Sequence, residues 1–251
     1  FDARAEEMFE FYGAVLGLEQ LDSFSDVGAG GVHRFAVPGG AQVKLTARTQ
    51  NRDYVEGGVD AATGLRLLTF FVPDAAAVDA RFEAHGLAAP EWVGIEGSAR
   101  SAARVEDPDG QPVALIAAPG EDESVYEQIE IGLTVSDLAA SRAFYGDFVG
   151  LEELETASDP ITGTTTHPYR HGSTIVSMRT FDHELPADTG SGGIQYVVTD
   201  AALVDRLAQE QGVTVETPLS TLQGYGLVTI WLNDPDGITN YFAQVGGPPG
   251  N

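Results

Sequence analysis

The chain has 251 residues, 43% of them hydrophobic, which suffices for one large domain or two ordinary ones with proper cores. Thirteen basic residues against 38 acidic ones leave a net charge of −25, with Lys44 the one lysine; such a surface repels phosphate backbones and anionic lipid, so neither nucleic acid nor membrane is an expected partner. The absence of cysteine excludes a disulfide framework, a thiolate metal site and a thiol nucleophile, and with no long apolar span and no secretory leader the cytoplasm is the expected location.

The opening residues 1–19 read as a helix containing Phe11-Tyr12-Gly13 and closing at Gly17-Leu18-Glu19. Residues 32–47 read as two strands joined by a Pro38-Gly39-Gly40 turn. Residues 68–87 give a strand, an Asp74 cap, an amphipathic helix and a closing Gly86, followed by a hairpin around Asp107-Pro108-Asp109-Gly110. In that tetrapeptide proline presets φ, aspartate accepts local backbone hydrogen bonds and glycine takes positive φ, so its carboxylates are expected to be structural. Residues 119–124 are polar and turn-forming and make the expected linker between an amino-terminal half, 1–118, and a carboxy-terminal half, 125–251.

Beyond the linker, Ile129, Ile131, Leu133 and Val135 alternate with Glu130, Gly132 and Thr134, the period of a half-buried strand. The period then changes: Leu138, Tyr145, Phe148 and Val149 share one helical face, with Ser136 or Asp137 placed to cap the helix and Gly150 to end it. Residues 166–178 give two further strands. Residues 194–213 repeat the strand, aspartate cap, helix and glycine seen earlier, and Asp234-Pro235-Asp236-Gly237 repeats the hairpin.

Two repeats therefore run through the chain. Phe144-Tyr145-Gly146 and Gly150-Leu151-Glu152 lie 133 residues after Phe11-Tyr12-Gly13 and Gly17-Leu18-Glu19, and residues 194–213 match 68–87 at an offset of 126. The pattern predicts an α+β fold of four βαβββ modules, the first without a counterpart of strand 129–135. A single such unit cannot bury its sheet face, so the modules are expected to pair into two domains, first with second and third with fourth. Each pair would form a curved mixed sheet around a cleft, with helices outside. A tandem chain builds its clefts internally, so monomer and homodimer are both compatible with it.

With FYGxxxGLE present twice, the aspartate-capped strands and DPDG present twice before a final strand, the chain resembles the vicinal oxygen chelate superfamily of glyoxalases, bleomycin resistance proteins and extradiol dioxygenases. That resemblance covers nearly the whole sequence and implies the fold; it leaves the reaction open, because one scaffold carries lyases, dioxygenases, transferases and drug-binding proteins. It also implies where metal ligands would stand: on the first strand of each module, and four residues after the DPDG glycine. Those positions hold Glu130 in the third module, Gly193 in the fourth, with Gln195 two residues on, Tyr241 at the end of the fourth, and Leu67 and Ala114 in the amino-terminal half. Only Glu130 is a usual ligand, so no metal is expected. The alternative is a rearranged zinc, iron or manganese site of Glu130 with His167 or His171. His167 and His171 are four residues apart on a strand, about 13 Å, and cannot both reach one ion unless the strand breaks at Pro168. His33 repeats His167 and favours a structural reading of both; His85 sits at a helix end, where the dipole favours histidine, and His183 in a loop.

Glu130 is then the candidate base or ligand anchor, weighed against an ordinary ion pair with Arg170 or Arg179. Gln195, Tyr225, Trp231, Tyr241 and His167 complete the candidate ligand-binding set, with Tyr225 in a Gly-Tyr-Gly loop at the cleft mouth and the aromatics placed to stack on a planar molecule. The expected function is binding of a small organic, planar or aromatic molecule in the carboxy-terminal cleft without the metal triad. The alternatives are a metal-dependent lyase or extradiol-type dioxygenase with rearranged ligands, and a non-catalytic structural or partner-binding protein.

Overall fold

The structure, a computed structural model, describes residues 4–24, 31–46, 52, 54–190, 192–222 and 224–246. Residues 1–3 of the opening helical stretch, Ala47 of the second strand pair and residues 247–251 of the carboxy-terminal half lie outside them.

Four modules follow one another. The first has helix α1 (Ala5–Phe9), a π-helical continuation (Glu10–Val15) and strands β1 (Glu19–Phe24), β2 (Val32–Ala36) and β3 (Gln42–Thr46). The second has β4 (Gly64–Val72), α2 (Ala75–Ala84), β5 (Val93–Gly94), β6 (Ser101–Glu106) and β7 (Pro112–Ala117). After a short helix α3 (Glu123–Tyr126), the third module has β8 (Ile129–Thr134), α4 (Leu138–Arg142) with a π-helical continuation (Ala143–Phe148), the short β9 (Glu152–Glu153) and β10 (Ala157–Ser158), then β11 (Thr165–His171) and β12 (Thr174–Arg179). The fourth has β13 (Gly193–Val198), α5 (Ala201–Gln211), β14 (Thr214–Leu222), β15 (Leu227–Asn233) and β16 (Thr239–Val245). None of the helices among the described residues is long and apolar enough to cross a membrane.

The local signals act as read. Asp74, Asp137 and Asp200 accept backbone N–H groups from Ala76, from Ala139 and Ala140, and from Leu203, satisfying donors that helix starts leave unpaired. Of the two candidates at the start of α4, Asp137 is the residue that caps. In DPDG, Asp107 accepts from Asp109 N and Gln111 N, and Asp234 from Asp236 N and Ile238 N, while Gly110 and Gly237 take φ of 86° and 83°. Pro168 leaves β11 unbroken, since Pro168 stays in register with Ser177.

The modules meet in two different ways. On the helical side, Phe11, Val15 and Phe35 of the first module share a core with Phe70, Phe82 and Leu115 of the second, and Phe144, Tyr145 and Met178 of the third share one with Ile194, Ile230 and Phe242 of the fourth. The helical layers therefore pair first with second and third with fourth. The sheets do not. Strands β4 and β8 pair antiparallel, Thr69 opposite Glu130 and Leu68 opposite Ile131, so the second and third modules form one continuous nine-stranded sheet. The sheets of the first and fourth modules approach through side chains: Lys44 Nζ on β3 donates to Gln195 Oε1 on β13 at 2.6 Å, and Arg52 pairs with Glu216 and donates to Thr239 Oγ1 at 2.7 Å. The expected pairs, first with second and third with fourth, are those that share the helical cores, and the β4–β8 contact joins the two pairs through their sheets. A sheet has two faces, and the apolar one goes to the helices of one neighbour while the other faces a different module.

Candidate functional site

Strand register decides which face each candidate residue occupies, because cross-strand partners share a face. In the fourth module Gln195 stands opposite Tyr241, and Tyr241 opposite Trp231, so the three form one row across β13, β16 and β15 on the face away from the helices. The opposite face carries Ile194, Phe242 and Ile230, all in the core. Trp231 and Tyr241 pack edge to face, ring centroids 5.3 Å apart, and both are half-buried. Burial raises the pKa of Tyr241, with Thr229 beside it acting in the other direction.

The first module continues this row. Lys44, bonded to Gln195, lies opposite Arg34 on β2. Arg34 is held by two donations to Asp22 O, at 2.9 and 2.7 Å. The pKa of Lys44 is lowered, first because neighbouring protein displaces water from the ammonium and then by repulsion from Arg34. Arg34, Lys44, Gln195, Tyr241 and Trp231 therefore form a continuous band of two cations, an amide and two aromatics. The sequence reading missed Lys44 and Arg34. The signal was available, since Lys44 precedes Ser177 by the repeat offset of 133 and so occupies the fourth-strand position that Tyr241 holds in its own module.

The other candidates lie elsewhere. Tyr225 sits in the β14–β15 turn, where its N–H donates to Leu222 O at 3.3 Å; Leu227 is four residue pairs beyond Trp231, roughly 13 Å along the strand. His167 stands opposite Met178, on the helical face, with Nδ1 3.3 Å from Arg142 Nη2 on α4. Desolvation and then Arg142 lower its pKa. His171, four residues further along β11, shares that face and is exposed.

Glu130 takes the opposite face, aligned with Thr69 and Ile175. The proposed metal set of Glu130 with His167 or His171 is therefore corrected: the strand alternation that brings the two histidines to one face puts the carboxylate on the other. Among the described residues, no group of three or more acidic, histidine or cysteine side chains is placed to hold a metal ion.

The concave face around Glu130 is covered by the chain itself. Val59 and Phe181 pack on Leu67 and Ala114, and Thr134 Oγ1 donates to Val59 O at 2.6 Å. Arg66, buried, donates to Val55 O, Gly57 O and Gly58 O at 2.8, 2.7 and 3.2 Å and pairs with buried Asp188 at 2.5 Å. Arg179 is fully buried, paired with Asp159 at 2.7 Å. Its guanidinium lies over Gly132, where a Cβ would come within 3.2 Å of Nη2. Burial raises the pKa of Glu130, Ser177 and Arg179 offset part of the rise, and Asp159 adds to it.

A cavity of about 440 Å³ lies on the helical side of the amino-terminal half, among Glu7, Glu10, Phe82 and His85, apart from both of these faces.

Two antiparallel-joined βαβββ modules with apolar faces on their helices and a polar row on the free face define a glyoxalase-type fold. The chain belongs to the Glyoxalase/Bleomycin resistance protein/Dioxygenase superfamily, whose sequence profile matches residues 1–115 and 128–242. Glyoxalase I from Zea mays superposes with a TM-score of 0.74 at 17% identity, over 95% of this chain and 88% of that one. A putative dioxygenase from Bacillus subtilis subsp. subtilis str. 168 superposes with a TM-score of 0.68 at 17% identity, over 98% and 82%. At that identity the likeness concerns the fold. No curated protein matches the chain.

Proposed function

We propose that this chain binds a small planar organic anion between its first and fourth modules, without a metal at the superfamily's ligand positions. The observation that carries the reading is the band from Arg34 and Lys44 through Gln195 to Tyr241 and Trp231. In a chain of net charge −25, two cations side by side on a sheet face make a local positive field that attracts an anion. The aromatic pair beyond them offers a surface for a flat ring, and Gln195 a hydrogen-bonding amide.

The donor chemistry at the ligand positions does not suit a divalent ion. In the face shared by the second and third modules they are Leu67, Ala114 and Glu130, with Ser177 on the fourth strand of the third module. In the face shared by the first and fourth, the positions within residues 1–251 are Lys44, Gly193 and Tyr241, and an ammonium repels the metal that a carboxylate would bind. We assign Glu130 to the closed face, beside Ser177 and Arg179 in the sheet floor.

Titration with benzoate and larger aromatic carboxylates, followed by tryptophan fluorescence in a Trp92→Phe background, tests this directly, because Trp231 is then the one remaining tryptophan. Quenching is expected, with at least about a tenfold weaker Kd for Lys44→Gln, the scale of one lost charge-assisted contact. Binding should survive chelator treatment unchanged. A stoichiometric divalent ion whose removal abolishes binding would instead support the metal-dependent alternative, and quenching indifferent to Lys44 would remove the band from the site.

A further inference from the structure

Lys44 supplies the only side-chain amine in the sequence, and it stands in the band with its Nζ fixed at 2.6 Å from Gln195 Oε1 and its stem beside Arg34. The residue stays open to solvent on the cleft side while its cross-strand neighbour is a guanidinium. Two ordinary roles explain less than is seen. A lysine kept only for charge would be stabilised by a carboxylate, yet the partner here is a neutral amide acceptor. A lysine kept only for surface solubility would not be set opposite another cation.

We propose that Lys44 is a covalent capture site for carbonyl compounds, forming an imine with an aromatic aldehyde or keto acid bound in the band. The proposal rests on the binding reading above and adds the bond. A lysine next to another cation and partly stripped of water holds a larger fraction of neutral amine than one in bulk solvent, and neutral amine is the nucleophile. Its lone pair adds to the carbonyl carbon, the C=O electron pair moves to oxygen, and a proton passes from nitrogen to that oxygen. The resulting carbinolamine then expels its hydroxyl as water, leaving C=N. Amine and carbonyl give imine and water, with no change of oxidation state and no further reactant.

The geometry suits such a ligand. Adjacent strands lie about 4.8 Å apart, so a ring attached to the captured carbonyl carbon reaches over Gln195 to the Tyr241–Trp231 pair one and two strands away.

The test uses para-formylbenzoate with borohydride as the trap, and peptide mass mapping to separate Lys44 from the chain's α-amine. The expected result is one adduct per chain on Lys44, formed faster than on N-acetyl-lysine amide, with a rate that rises with pH through a midpoint below that of the free amine. Lys44→Arg should lose the adduct, while benzoate quenching of Trp231 in the chain that retains Lys44 reports binding separately. Quenching by benzoate with no adduct, or with an adduct no faster than on the free amine, overturns imine capture and leaves the binding reading standing. Neither quenching nor adduct overturns both.

Discussion

At the scale of single residues, two tyrosine–aspartate pairs explain why the sequence carries FYG and DPDG together. Tyr12 donates to Asp107 Oδ2 and Tyr145 to Asp234 Oδ2, each at 2.9 Å and each buried. One motif's ring thus closes the other motif's turn, from the neighbouring module. Burial pushes the Asp234 carboxyl up to about 6 from an ordinary 3.8, against the opposing hydrogen bonds from Ile238 N and Tyr145. A carboxyl whose folded pKa is raised favours folding most when protonated. Its contribution should therefore fall as pH rises from about 4 to about 6, by on the order of 3 kcal/mol. Urea denaturation at pH 4 and pH 7 should show most of this loss in the native chain, and Asp234→Asn should flatten it. The buried Arg179–Asp159 pair makes a second prediction. Asp159→Ala strands a buried guanidinium and should cost about 3–5 kcal/mol, whereas adding Arg179→Met should recover part of that loss in the same denaturation measurement. Neither ion pair was legible beforehand, because Asp159 and Asp188 lie in loops whose path no periodicity fixes. The Tyr–Asp pairs were half legible: both motifs stood out, and their contact depends on which modules pack.

At the scale of elements, the helices after β8 and before β1 switch from α to π geometry at the FYG motif. The glycine explains the close approach that follows. A Cβ on Gly146 would come within 3.1 Å of the Tyr169 ring on β11, and one on Gly13 within 3.4 Å of Phe35 on β2. The aromatic two residues after each of His33 and His167 is therefore the packing partner of the FYG glycine. The histidines themselves face the helices, His33 with its ring 4.2 Å from that of Phe9. Strand β8 carries a similar constraint on its other face. Gly132→Ala would bring Cβ to 2.9 Å from Leu67 Cβ and crowd Arg179, and should cost about 1–3 kcal/mol, read as a lowered urea midpoint. Strands, caps and turns were legible in the sequence because each rests on neighbours within a few positions. Faces were legible only where alternation is regular, as in β8; Trp231 could be placed only once Tyr241 was known to lie opposite it.

At the scale of the whole molecule, the repeat offsets revealed four copies and left unstated which edges bond. Two central, apolar first strands, β4 and β8, satisfy each other's free backbone groups. A fragment of residues 125–251 would expose the edge of β8, and should elute from a sizing column as a dimer, whereas the intact chain covers that edge internally. A monomeric fragment would show that the β4–β8 contact is dispensable.

The same strand pair has a consequence for how the two faces came to differ. Advancing one module-pair along the repeat carries the second and third modules onto the fourth and first, so the two faces are related by an approximate dyad, with Ser177 matching Lys44, Ala114 matching Tyr241 and Leu67 matching Gly193. In a symmetric dimer of half-length chains every substitution would appear in both faces at once. Covalent duplication lifts that restriction: one face can solidify around Arg179 and Val59 while its twin keeps an ammonium and two aromatic rings, and each drifts without altering the other.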